Sequence, residues 1–422
     1  MEMQTDVYQS VPRSPTDEER YERNEQARRA ILGPLSWILK CSGFDETYSL
    51  FKKETRCRLF SFIATPVAVG GLLFIFIHMF GHIHNIKDVL TWHWGEMFVI
   101  TFLSVFAFGS ALGLTLWTRS LFFLDFYNGW LDCVKQSEKK TTDMSNGNNG
   151  ETAVFIGQVQ NAPTWPKSRT VLCILSFIAY GGVALITDIK YAQHRGHVMV
   201  VNESWIDWRL DELCQGEPII HFWFGIVCAL GLSIYGTLHS IVIEQVEELN
   251  KDLKESSDVN TLKERLDDFG NRQQAVLSLT RTLSKHMGAY ATLCVKGGVV
   301  SHAMSMFLSL AFKGEISLLS NLCVVFWTIV SIAILVVVLI QPANLQKRHN
   351  RTTEILMNDK QIWNGDLLTV QKTQSMVQRH QYSNTTVTIY KCLKLTPWVA
   401  NAIMVIPPIT GGIMIALRAF LM

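Results

Sequence analysis

Seven membrane-spanning α-helices, with the N-terminus in the cytoplasm and the C-terminus outside, are what this sequence predicts. Three observations carry that expectation. The 422 residues are 48% hydrophobic and only 18% charged, with positive mean hydropathy, which is too apolar for an ordinary soluble domain. Several runs exceed the ~18 mostly uncharged residues that mark a spanning helix. Lysine and arginine also fall unevenly along the chain, as the positive-inside rule requires of a polytopic protein.

The first 56 residues form the cytoplasmic N-terminal segment, and residues 1–30, rich in Pro, Ser, Thr, Glu and Arg, are expected to lack fixed structure. No cleavable signal peptide is evident, so the first span directs insertion. The stretch ILGPLSWILKCSGF, residues 31–44, is short and amphipathic. Lys52, Lys53, Arg56 and Arg58 crowd the start of the first span, residues 57–80, and the second runs over 94–117. After it, apolar spacing continues before dissolving at Asn146, Gly147, Asn148, Asn149 and Gly150 into a loop. The third span covers 168–192 and the fourth 219–243.

The fourth span does not stop at the membrane. Val246, Leu249 and Leu253 keep a helical spacing among Glu244, Glu247, Glu248, Lys251 and Lys254. Ser256-Ser257-Asp258 breaks the helix, and Thr261 with Glu264 restarts one as a capping box. It leads into the fifth span, 286–312, followed by a tight loop and the sixth, 317–340. Residues 244–285 and 342–390 are thus read as a helical anchor in the cytosol, and 400–422 as the seventh span.

With the N-terminus inside, 29 of the 38 lysines and arginines lie on the cytoplasmic side and six outside; Lys296, Lys391 and Lys394 remain. The same orientation places the acceptor triplet Asn202-Glu203-Ser204 outside, as a glycosylation site, and leaves the acceptors at Asn350 and Asn384 inside and silent. This topology is inverted relative to a G-protein-coupled receptor. The third span lacks Asp-Arg-Tyr and the seventh lacks Asn-Pro-x-x-Tyr, so no G protein is expected as partner. No HExxH, intramembrane carboxylate pair or inverted repeat supports an enzyme or transporter. The nine cysteines show no paired spacing. No cofactor and no nucleic acid are implied. His78 and His82 share a helical face near His84 and His93; interfacial polarity explains them more simply than a metal does.

The last span is the most informative. Pro397 and the pair Pro407-Pro408 interrupt it, Gly411 and Gly412 follow Thr410, and Arg418 is its one charge. The proline pair separates two half-helices, the second lining a path, or it is a packing kink. Arg418 snorkels to the outer headgroups, or a ring of such arginines repels cations at a pore mouth. Lys296 stands about ten residues into the fifth span beside Gly297 and Gly298. It faces a pocket there, or the span begins later and leaves it at the cytosolic edge. Trp327 lies deep in the sixth span, where it packs in the core, lines a pocket or absorbs ultraviolet light.

The inverted topology, the PLSWILKCSGF start (residues 34–44), the cytosolic projections and the ending Thr410-Gly411-Gly412-IMIAL-Arg418-Ala419-Phe420 together resemble the insect gustatory and odorant receptor superfamily. Members often end in Thr-Tyr, several apolar residues and Gln-Phe. Here Thr and Phe are kept, Gly replaces Tyr and Arg418 stands near the Gln, which suggests a divergent branch such as the nematode one with light- and peroxide-sensing members. The resemblance implies a homo- or heterotetramer, a ligand-gated cation channel in the plasma membrane of sensory neurons. Its pore would be lined from Asn401, Pro407, Pro408, Thr410, Gly411 and Arg418. A small-molecule pocket among spans two to six would draw on Lys296, His302, Trp327 and Tyr180. The alternative it implies is a photoreceptor or oxidant sensor of the same fold that signals through a partner.

Overall fold

The computed structural model describes residues 26–42, 44, 89–142, 217–255, 259–315, 317–383, 386–390 and 392–421, with isolated positions at 69–70, 73, 175 and 182. Apart from those isolated positions, the expected first and third spans lie outside the described residues, as do the histidines at 78, 82 and 84, Tyr180 and Asn202.

Helix α1, Pro34–Cys41, starts with proline in its first turn behind Gly33, whose φ of 51° places it in the left-handed region that glycine adopts freely. Residues 26–32 are helical too, and Ala27 and Arg28 are buried. That corrects the expectation of an unstructured stretch as far as residue 30: Ala27 spaces with Ile31 and Leu35 on one buried face. Helix α2, Trp92–Arg119, is capped by Thr91, whose hydroxyl accepts from the Trp94 N–H at 3.3 Å. Helix α3, Phe122–Thr142, continues from it after a bend at Ser120.

Helix α4, Glu217–Glu255, and helix α5, Val259–Ala311, are 39 and 53 residues long. At 1.5 Å per residue α5 measures about 80 Å against a hydrocarbon core of about 30 Å, so much of it projects beyond a membrane. Helix α6, Leu318–Asn358, capped by Ser317, runs through Pro342 without stopping, so the stretch after residue 340 is continuous with the sixth span. Short α7, Lys360–Trp363, and α8, Leu367–Tyr382, follow. An antiparallel pair of two-residue strands, β1 Thr388–Ile389 and β2 Leu393–Lys394, then leads into α9, Pro397–Leu421. Five helices (α2, α4, α5, α6 and α9) are long and apolar enough to cross a membrane among the described residues. This is a membrane protein.

Helix α5 is the axis of the fold, touching α2, α3, α4, α6, α8, α9 and β1. One core surrounds its C-terminal half and reaches into α2, α4, α6 and α9. A second core, Leu249, Leu253, Leu266, Phe269, Leu356, Ile362, Met376 and Val377, sits where α4, α5, α6, α7 and α8 meet. Around it Arg272 pairs with Asp252 at 2.5 Å, both nearly buried, while Arg348–Glu247 at 2.7 Å and Lys372–Asp267 at 2.6 Å are more open. Asn250 ties the same junction, donating to the Arg348 carbonyl at 3.0 Å and accepting from Thr352 at 2.6 Å.

The last helix departs from expectation. It begins at Pro397 rather than near residue 400, and it is one unbroken helix through Pro407 and Pro408. The prolines strip the Ile403 and Met404 carbonyls of their intrahelical donors. The Pro407 side of the turn is buried within the chain rather than left open, a condition under which spanning helices keep proline.

Candidate functional site

Helix α9 has two unlike faces. Ala400, Ile403, Pro407, Gly411 and Met414 recur at helical spacing and are buried. They face α5. A Cβ on Gly411 would stand 3.1 Å from the Ala303 carbonyl oxygen and 3.3 Å from Met306 Cβ, so glycine there is what lets the two helices approach. Pro407 and Gly411, expected to line a pore, are instead part of this seat. The opposite face carries Asn401, Val405, Ile409, Gly412 and Ala416, all exposed; a Cβ on Gly412 would meet nothing within 4 Å.

The remaining residues singled out in the sequence fall in distinct places. Arg418 neither points away to headgroups nor stands free at a mouth. Its guanidinium stacks on the Phe312 ring at 3.7 Å, donates to the Ala311 carbonyl and lies 3.4 Å from Glu315. It therefore closes the C-terminal end of α5, where free carbonyls and the helix dipole favour a cation. Lys296 is exposed, its Nζ 5.0 Å from the centre of the Tyr390 ring in the strand turn, whose backbone N–H donates to the Thr292 hydroxyl at 3.1 Å. Because that turn immediately precedes α9, Lys296 sits at the level where the last helix begins. Trp327 is 1% exposed and packed in the main core. Thr410 is half-buried and Pro408 exposed.

His302 and Pro408 are brought together. They line one cleft of about 440 Å³ between α5, α6 and α9, with Met306, Ser309, Leu310, Thr328 and Ile332. The Thr328 hydroxyl is used within its own helix, donating to the Val324 carbonyl at 2.8 Å. His302 is 9% exposed, and its Nδ1 is buried with no hydrogen-bond partner.

The junction around the second core holds a further pair. His349 Nε2 lies 3.1 Å from the Thr280 hydroxyl, His380 Nδ1 lies 3.1 Å from the Thr353 hydroxyl, and the ring centres are 5.7 Å apart. Burial, reinforced by His380, holds the His349 imidazole neutral by lowering its pKa to about 3. Burial lowers His380 as well. Among the described residues, no three His, Cys, Asp or Glu side chains converge as a metal site would need.

Sequence reasoning missed Val405, Ile409, Gly412 and Ala416 on the outer face of α9, and the Phe312–Glu315 partners of Arg418. The helical phase of the Pro407–Gly411–Met414 stripe was the available signal for the first group.

The family model "Caenorhabditis protein of unknown function, DUF267" matches residues 31–145 and 167–411. Among solved structures, the insect olfactory receptor OR5 from Machilis hrabei is similar with a TM-score of 0.62 at 9% identity, covering 91% of this chain and 97% of that one. The same receptor in complex with eugenol gives 0.63 at 8% identity, covering 94% and 99%. No protein with a curated description matches by sequence. At such identity the likeness shows the fold: the seven-helix membrane architecture of the insect olfactory receptors, as the resemblance in the sequence implied.

Proposed function

The chain belongs to the Caenorhabditis family of unknown function DUF267, and we propose that it is a plasma-membrane chemoreceptor that is itself a ligand-gated, cation-conducting tetramer. The observation that carries this reading is the outer face of α9. Only 28% of its apolar window is buried within the chain, against 50–72% for the other four span candidates. A spanning helix seated by one stripe on α5 leaves its other face to lipid or to further copies. Four copies around an axis would enclose a path lined by Asn401, Val405, Ile409, Gly412 and Ala416. Val405 and Ile409, 53% and 57% exposed in one chain, would form the constriction that gates by dewetting. Asn401 would stand at the cytosolic entry, and Gly412 and Ala416 would widen the outer end.

The second core supports the assembly role of the cytosolic helices, which give each subunit a rigid body outside the membrane. The solved complex of the Machilis receptor with eugenol supports a small-molecule stimulus, bound among spans two to six. Such a stimulus opens the path only by its differential affinity for the open state. The N-terminus lies in the cytoplasm and Asn202 outside, on the strength of the charge count.

Expression in a non-neuronal cell with whole-cell recording tests the proposal. Currents evoked by small organic molecules are expected, and a thiol reagent should block them in Ile409→Cys but not in Met414→Cys. Silence across a broad chemical panel with confirmed surface expression, or equal block of the two variants, would refute it.

A further inference from the structure

We propose that the cleft between α5, α6 and α9 binds an apolar molecule carrying a single hydroxyl, an alcohol or a phenol, held by the imidazole of His302. The site shares spans five and six and His302 with the stimulus pocket expected from the resemblance and adds α9 as a wall, and binding there does not depend on whether the chain conducts.

The cavity of about 440 Å³ falls within the range of small-molecule pockets, roughly 300–1,000 Å³. Its walls are apolar: Met306 and Leu310 from α5, Ile332 from α6 and Pro408 from α9. Met306 is an unbranched thioether that adapts to irregular guests. Polar groups are few: His302 and Ser309, two turns apart on the same face of α5, and Thr328 on α6, whose hydroxyl is used within its own helix.

His302 specifies the chemistry. Its Nδ1 is buried, so a guest in the cleft meets the ring at its other nitrogen, Nε2. A neutral imidazole offers one donor and one acceptor, and a hydroxyl can answer either. Ser301 and Ser331 are fully buried, and their hydroxyls lack partners. Gly298 abuts Ile334 and Leu335 across the α5–α6 contact, and the two helices run antiparallel, so Ser301, His302 and Ser331 fall at about one level. No carboxylate, ammonium or guanidinium group lines the cleft. A carboxylate or ammonium would therefore enter without a counter-charge, at the cost that apolar surroundings impose. A neutral hydroxyl avoids that cost.

The position gives binding a consequence. Pro408 forms the α9 wall beside the buried Pro407. This is the turn whose missing N–H groups leave the Ile403 and Met404 carbonyls without intrahelical donors, and it is where α9 bends most readily. A guest filling the cleft sets the spacing of α9 from α5 and α6 at that point.

Photolabelling tests this on the full-length chain in lipid nanodiscs, with a diazirine-bearing octanol as probe and peptide mass spectrometry as readout. Adducts are expected on Met306, Leu310 or Ile332, displaced by excess 1-octanol. His302→Leu should weaken the apparent affinity about five-fold, the value of one neutral hydrogen bond. Ile332→Trp should fill the cleft and abolish these adducts. If Ile332→Trp fails to fold by size exclusion, His302→Leu alone decides. Displacement by cholesterol in the nanodisc would assign the guest to the membrane. Displacement by octanol but not cholesterol would assign a water-borne alcohol. Adducts spread evenly along the outer face of α9, or an affinity unchanged in His302→Leu, would overturn the site. So would labelling confined to dissociated single subunits, because a second copy would then be the occupant.

Discussion

Two adjacent glycines in α9 make opposite predictions when each is changed to alanine. In a helix interior, alanine is better than glycine by about 0.5–1 kcal/mol, because glycine loses more backbone freedom on ordering. At Gly412 nothing opposes that gain, since an added Cβ meets no atom within 4 Å. At Gly411 the added carbon stands 3.1 Å from the Ala303 carbonyl oxygen and 3.3 Å from Met306 Cβ. The oxygen belongs to the backbone of α5 and cannot step aside, so α9 must withdraw along its buried stripe. Overpacking of that kind costs about 1–3 kcal/mol. The two variants should therefore differ by about 1–3 kcal/mol, with Gly412→Ala at or above the parent and Gly411→Ala below its neighbour. The measurement is reversible unfolding in mixed micelles, followed by helical circular dichroism as the denaturing detergent fraction rises. Equal midpoints for the two variants, or Gly412→Ala as the weaker, would mean that α9 is not seated on α5 through the Gly411 face.

Three further outcomes follow from the same geometry. Because burial holds His349, and to a lesser degree His380, below the usual histidine pKa of about 6.5, the unfolded chain binds more protons as pH falls beneath 6.5. Their stabilisation is complete above that pH and is lost toward about pH 3, at up to about 1.4 kcal/mol per pH unit for each group. Unfolding midpoints at pH 7.5, 6 and 5 should fall, and fall less in His349→Gln; an identical slope in the variant would exclude this pair. Arg418→Met keeps the stem over Phe312 but removes the donors to Ala311 and Glu315, costing about 1–3 kcal/mol and leaving cation selectivity unchanged; a shifted reversal potential would show that Arg418 faces the ions. Asn202→Gln should abolish the glycosidase-sensitive gel shift, whereas glycosylation of an acceptor inserted at the N-terminus would reverse the orientation proposed here.

Most of the architecture was legible because it rests on patterns that one chain carries in full. Hydrophobic runs marked the five described spans, and the spacing of Val246, Leu249 and Leu253 carried α4 past the membrane, as found. What stayed hidden depended on partners distant in sequence. Lys296 gave no sign that Tyr390, 94 residues on, would meet it. Arg418 could be read as a snorkelling charge or a pore ring, and neither reading anticipates that the Ala311 carbonyl at the end of α5 takes this guanidinium. Local rules also left Pro407-Pro408 open between a break into half-helices and a packing kink, where the helix runs on unbroken. A missing N–H weakens a helix, but whether the helix breaks is decided by what packs around the freed carbonyls, and that information lies on α5 and α6.

The helical phase of α9 connects these points. With Ala400, Ile403, Pro407, Gly411 and Met414 fixed on α5, the period of 3.6 residues leaves Val405, Ile409, Gly412 and Ala416 facing away. Pro408 is turned to the side, where it meets His302. The proline pair thus serves two surfaces at once: Pro407 belongs to the seat and Pro408 to the cleft. A change in how the cleft is filled must act on the seat one residue away, and through it on the outer face. If Gly411→Leu forced α9 from α5 without altering labelling around His302, that mechanical link would be broken. The cleft and the outer face would then have to be treated as independent surfaces.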